Sequence, residues 1–252
     1  MRAASVKQSA EYPVRWQPQI GSSFAWQLTD YPVDFQTRAD IIDIDLFETS
    51  QSVINNLHSQ GKKVICYINA GAWEAYRPDA DAFPAAVVGR AYIGWPDERW
   101  LDVSRFDQFS SLMAARFDLA KDKGCDGLEL DNIDGYQQKT GFTITQHDQA
   151  ASSAWLAHQA HTRGLAVGLK NCPEMVAELV EHFDFAIIEE CTKYGWCADF
   201  KTFTEAHKPV FQVSYEKAPA KIERICAQAA LDGFYVLFKN RSLDNWSLTC
   251  ES

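Results

Sequence analysis

The stretch Gly127–Tyr136, GLELDNIDGY, changes character halfway along: Leu128 and Leu130 alternate with Glu129 and Asp131, and the run then ends in Asp131, Asn132 and Asp134. A period of two bounded by Gly127 and Gly135 reads as a β-strand whose tip carries groups able to bond, carry charge or transfer a proton. Asp and Asn also end purely structural strands, because their side chains favour turns. The stretch gains meaning from the strands around it, which end in the same way.

Working outward, the upstream runs Phe24–Leu28, Ala39–Asp45 and Lys63–Asn69 read as strands, as do Leu165–Asn171, Asp184–Glu190, Pro209–Tyr215 and Gly233–Lys239 downstream. Helical spacing falls between them, over Gln51–Gln60 (with Thr49 as N-cap and Gly61 as stop), Asp107–Lys123, Thr145–Arg163, Pro173–His182, Ala198–Ala206 and Lys221–Leu231. The connection from Ala70 to Val103 is long and rich in Gly, Pro and aromatic residues, which predicts a functional loop. Eight strands separated mostly by helices in 252 residues predict an α/β chain with one domain, a (β/α)8 TIM barrel over residues 16–252, behind a flexible segment at 1–15. A doubly wound open sheet is the competitor, but no Gly-rich fingerprint follows the first strand.

Composition narrows the function. A formal net charge of -10 disfavours nucleic acid and anionic membrane surfaces as partners and favours a cationic one. No run of eighteen apolar residues is present, and Met1–Tyr12 lacks the apolar region of a signal peptide. The seven cysteines form no CxxC pairs and the histidines complete no metal site, so neither a metal nor a cofactor is expected. His158 and His161 lie one helical turn apart, but no third ligand accompanies them. Cys191 with Cys197 and Cys226 with Cys250 suit disulfides, and the odd count leaves at least one thiol unpaired; a secreted or cell-surface monomer is the expectation.

In a barrel the rim at the C-terminal strand ends is where sites are built, and Asp45, Asn69, Asp131, Lys170, Asn171, Glu189, Glu190 and Tyr215 all fall there. Two carboxylates facing each other across a sugar are the minimal equipment of a glycosidase. Asp131 is one candidate and Glu189 or Glu190 the other; alternation lets only one of the two glutamates face the axis, and strand-end irregularity leaves the choice open.

The segments WQL (Trp26–Leu28), VICYINAGAWEAYRPD (Val64–Asp79), ERWLDV (Glu98–Val103), LDNIDGY (Leu130–Tyr136), GLKN (Gly168–Asn171), FDFAIIEEC (Phe183–Cys191) and the closing FKNRSLDNW followed by a cysteine resemble glycoside hydrolase family 114, the endo-α-1,4-polygalactosaminidases. The likeness runs in order from about Trp16 to Cys250. It implies a (β/α)8 barrel that hydrolyses α-1,4-linked galactosamine polymers, with Asp131 and Glu189 as the acidic pair. By analogy with retaining barrels, Asp131 is expected to attack the anomeric carbon and Glu189 to serve as acid/base. Lys170 and Asn171 are candidates for sugar hydroxyls, and the lysine for lowering the pKa of a neighbouring carboxylate. Asp43 and Asp45 are expected to hold a substrate amine or an active-site loop, and Asn132, Asp134 and Glu190 to bind substrate. Trp26, Tyr67 and Tyr215 offer flat faces for a sugar ring or an ammonium. Two other readings compete: a sugar-binding barrel without catalysis, and a metal-dependent hydrolase or esterase holding a cation on Asp43, Asp45, Asp131 and Asp134.

Overall fold

The computed structural model describes residues 13–250. Eight parallel strands form its centre: β1 (Phe24–Gln27), β2 (Ile41–Asp45), β3 (Lys63–Asn69), β4 (Gly127–Asp131), β5 (Ala166–Lys170), β6 (Phe185–Glu189), β7 (Val210–Ser214) and β8 (Tyr235–Lys239). Each pairs with its neighbour in sequence, as expected of a (β/α)8 barrel. The longer helices α1 (Gln51–Ser59), α2 (Ser110–Lys123), α3 (Gln146–Thr162) and α4 (Pro219–Asp232) lie between strands, the β5–β6 and β6–β7 crossovers use short helical turns, and the β1–β2 connection runs without a helix.

Alternation explains both cores. Phe24, Ile41, Ile65, Ala166, Phe185, Phe211 and Leu237 fill the inside of the barrel. The intervening strand residues, such as Ile42, Val64, Leu128, Val167 and Phe238, pack outward in one cluster with apolar residues of α1, α2, α3 and α4. Gly168 belongs to the inside set, where a Cβ would come 2.2 Å from the ring of Phe185; any side chain there would displace that ring. Inward positions change from apolar to polar toward the C-terminal ends, and this gradient creates the site.

The ring closes differently from the way it is built. Among the described residues β1 pairs with β2 alone, while β8 takes a short antiparallel strand, Ser247–Thr249, on its far edge. Phe24 stacks on Phe211 with centroids 4.5 Å apart. Above it the amides of Leu28 and Thr29 both donate to the Leu243 carbonyl, at 2.9 and 3.2 Å.

The connection after β3 is an ordered three-stranded antiparallel sheet, Ala72–Glu74, Val88–Tyr92 and Trp95–Leu101, where a loop was expected. Its root is tight: a Cβ on Gly71 would stand 1.7 Å from the Asn132 carbonyl oxygen. Arg116 of α2 braces the excursion through Asp79, at 2.8 and 2.9 Å.

The N-cap of α1 is Ser50 rather than Thr49, whose buried hydroxyl lies one residue too early to cap. Disulfides join Cys191 to Cys197 and Cys226 to Cys250, and a third, unforeseen, joins Cys66 of β3 to Cys125 ahead of β4. Cys172 is the free, buried thiol. Of the segment 1–15, residues 1–12 lie outside the described residues; Arg15 reaches Asp184 at 2.8 Å.

Candidate active site

Four strand tips converge on one ammonium. Lys170, at the end of β5, is buried and places Nζ 2.6 Å from Glu129 Oε1, 3.1 Å from Asp131 Oδ1 and 3.4 Å from Glu189 Oε2, with the Trp26 ring centroid 4.7 Å away. Burial alone would push this amine down, yet Asp131, Glu129 and Glu189 hold it well above its ordinary range, so it stays charged. The two rim carboxyls remain reachable: the side chains of Asp131 and Glu189 are 21% and 25% exposed.

Each of these carboxyls is also held by a phenol. Tyr67 donates to Asp131 Oδ2 at 2.9 Å, and Tyr215 donates a short hydrogen bond to Glu189 Oε1. Burial, followed by the facing carboxylate, raises both phenols above their ordinary value, which keeps them as donors. The amide of Asn132 donates to Asp131 Oδ1 at 2.8 Å, and Asn171 Oδ1 accepts the Glu189 amide at 2.8 Å. Asn132 and Asn171 turn the chain at their strand ends with φ of 61° and 50°, a conformation asparagine tolerates better than most residues.

A second ionic centre forms the opposite wall. Arg77 grips Asp45 at 2.9 and 2.6 Å and Glu74 at 2.8 and 2.7 Å, with its guanidinium 4.8 Å over the Phe47 ring. Beside it Glu98 accepts from Asn69 Nδ2 at 3.1 Å and is 7% exposed. Glu98 makes no salt bridge among the described residues; burial, then the charges of Glu74 and Asp131, raise its carboxyl to about 7. Asp134 is raised by burial as well, and takes a hydrogen bond from Gln138 at 2.7 Å.

The space between these walls is a cleft of about 510 Å³. It gathers Trp26, Asp45, Tyr67, Asp131, Asn132, Asp134, Lys170, Asn171, Glu189 and Tyr215 from the residues singled out in the sequence. Two others are corrected. Asp43 is fully buried beneath the floor, one layer below Asp45, where no substrate amine reaches it. Glu190 sits in a left-handed turn with φ of 55° and folds back, accepting the Tyr215 amide at 2.8 Å and the Ser214 hydroxyl at 3.2 Å; it does not line the cleft.

The four aspartates suggested for a cation are dispersed. Asp43 is buried, Asp45 is bound to Arg77, Asp131 to Lys170 and Asp134 to Gln138, and no group of three or more acidic, His or Cys residues among those described could hold a metal ion. His161 bonds Asp184 at 2.9 Å. Reasoning from sequence missed Glu74, Arg77, Glu98 and Glu129. Glu129 carries a signal, since it shares the inward parity of Asp131; the other three lie on the excursion, where the strand period is broken.

The chemistry available is that of two carboxyls on one charged amine, each aimed by a tyrosine, in an acidic cleft. The model of glycoside-hydrolase family GH114 matches residues 5–252. The chain superimposes with a TM-score of 0.91 on Ega3 from Aspergillus fumigatus, solved in complex with galactosamine, at 33% identity over 96% of this chain and 100% of that one. The glycoside hydrolase domain of PelA from Pseudomonas aeruginosa gives a TM-score of 0.70 at 17% identity, covering 90% of this chain and 98% of that one, a likeness of fold. An uncharacterized protein of Deinococcus radiodurans is 27% identical over 208 residues, 74% of this chain and 67% of its own.

Proposed function

The chain belongs to glycoside hydrolase family GH114, and from that premise we propose that it cleaves α-1,4-linked, galactosamine-containing polysaccharide within the chain, using Asp131 and Glu189. The observation that carries this reading is the placement of both carboxyls on the single Lys170 ammonium. Oxygens 3.1 and 3.4 Å from one nitrogen lie at most about 6.5 Å apart. The bound applies to the lysine-facing oxygen of each carboxyl, and it supports the roughly 5 to 5.5 Å spacing of retaining glycosidases.

On this reading Asp131 attacks the anomeric carbon while Glu189 protonates the departing glycosidic oxygen. The Glu189 carboxylate then takes a proton from the water that releases the sugar. Tyr67 fixes the nucleophile and Tyr215 fixes the acid/base. Substrate choice follows from charge: six carboxyl groups line the cleft against the cations Arg77, Lys170 and Arg241, so an amino-sugar's ammonium is drawn in. Three disulfides support an oxidising compartment, which fits action outside the cell. Internal cleavage is inferred from the family resemblance.

The test is product analysis by mass spectrometry after incubating wild type, Asp131→Asn and Glu189→Gln with partly deacetylated α-1,4-galactosaminogalactan. Short oligosaccharides from wild type, reduced by about 10²- to 10⁴-fold or more in each variant, are expected. Product that persists in Asp131→Asn would remove the nucleophile assignment, and no product from wild type would overturn the substrate. Proton NMR of the first product adds the stereochemistry: the α-anomer for retention, the β-anomer against it.

A further inference from the structure

Beneath the cleft floor lie two carboxyl groups that the reaction does not use. Asp43 of β2 and Glu129 of β4 are both 0% exposed, and their side chains meet across the inside of β3. Three of their four oxygens, both of Asp43 and Oε2 of Glu129, have no donor among the described residues; the fourth, Glu129 Oε1, takes the 2.6 Å contact with Lys170. Two touching carboxylates with three bare oxygens in a dry core would repel each other at a cost that a single ammonium, already shared with Asp131 and Glu189, does not offset. One proton between them satisfies an oxygen on each side.

We propose that Asp43 is a positioning residue held as the neutral carboxylic acid: its hydroxyl donates to Glu129 Oε2, which fixes Glu129 against Lys170 and so fixes Lys170 between Asp131 and Glu189. The proton belongs on Asp43 because Glu129 already faces the ammonium, whereas Asp43 faces no cation as closely. Around it stand Trp26 of β1 in register, Asp45 of its own strand, Tyr67 of β3, Glu129 and Asp131 of β4 and Lys170 of β5. Burial and the neighbouring Glu129 charge push the Asp43 carboxyl well up, in the same direction. The inference rests on reading Asp131 and Glu189 as the working pair; the protonation of Asp43 stands apart from any choice of sugar.

Two experiments on the intact protein test it. Carbon NMR with aspartate labelled at Cγ, wild type against Asp43→Asn, identifies the Asp43 signal by its loss; it is expected to keep the shift of a protonated carboxyl through neutral pH. An Asp43 signal that ionises along with the surface aspartates overturns the proposal, and this arm needs no substrate. In the second, Asp43→Asn supplies a neutral donor to Glu129 and Asp43→Leu supplies none. Asp43→Leu is expected to lower kcat about tenfold or more with KM little changed, and Asp43→Asn to recover most of that loss. An asparagine variant as impaired as the leucine one, or a leucine variant with wild-type kcat, overturns the positioning role. Should Asp43→Leu fail to fold, Asp43→Asn against wild type decides: a tenfold loss there would mean that the charge, not the hydrogen bond, is what the site needs.

Discussion

Lys170 and Arg77 occupy matched places on opposite walls of the cleft, each a buried cation among carboxylates, and they do different things. Arg77 meets Asp45 and Glu74 with a two-pronged grip on each, and those partners are sealed, their side chains 7% and 0% exposed. Lys170 touches three carboxyls as a point charge and leaves two of them open to the cleft. A guanidinium fork spends its donors in fixed directions and closes the pair, while an ammonium holds its partners without covering them. One centre is therefore built as wall and the other as workplace.

That contrast breaks most visibly at Lys170. Lys170→Met leaves Glu129, Asp131 and Glu189 facing one another without a cation. Activity is expected to fall about 10²- to 10³-fold, with a loss of about 3 to 5 kcal/mol in stability by denaturant titration. A variant that keeps its kcat would make Lys170 wall as well. Arg77→Lys comes next: it keeps the charge and loses the fork, so a destabilisation of about 2 to 4 kcal/mol is expected by the same titration. Its effect on kcat should be much smaller than that of Lys170→Met; equal losses would erase the distinction.

The smallest effect sharpens the comparison by asking what lies between the centres. Glu98 titrates at about 7 in the folded chain against an ordinary 4.5. Between those values the folded state holds the proton more tightly than the unfolded one, so stability falls as pH rises through that window. The penalty is complete above the folded value, at no more than about 3 kcal/mol. Glu98→Gln is expected to flatten this slope, matching wild type in acid and exceeding it above neutrality in denaturant midpoints. An unchanged slope would show that Glu98 is already paired in solution.

The strands were legible because alternation and Gly punctuation act over a few residues, and every tip that bears a cleft residue followed from that local pattern. Depth was not legible. Asp43 and Asp45 share one parity, but how far each stands above the floor depends on strand stagger around the barrel, which no single strand encodes. Glu190 failed for another reason: one left-handed residue after β6 turned it away from the rim it adjoins in sequence. The excursion sheet does not show a strand pattern in the sequence because its strands, such as Trp95–Leu101, carry exposed charges and their pairing slips between Val88, Ala91 and Tyr92. With it went Glu74, Arg77 and Glu98. The bond between Cys66 and Cys125 spans 59 residues and needed the adjacency of β3 and β4 before it could be seen.

The seam where Leu28 and Thr29 bond to Leu243 also sets an order in time. Thr29 Oγ1 donates to the Ser242 carbonyl at 2.7 Å, across 213 residues of chain. At about 5 to 20 residues per second of synthesis, the first strand waits on the order of 10 to 40 seconds for the partner that completes it. Until then Leu28 and Thr29 lack the Leu243 and Ser242 carbonyls that they bond in the finished fold, so a nascent chain is exposed to wrong pairing beside the strand that the finished cleft relies on. Pulse-labelled chains on stalled ribosomes would show that interval as protease sensitivity ending only once residues near Leu243 have emerged.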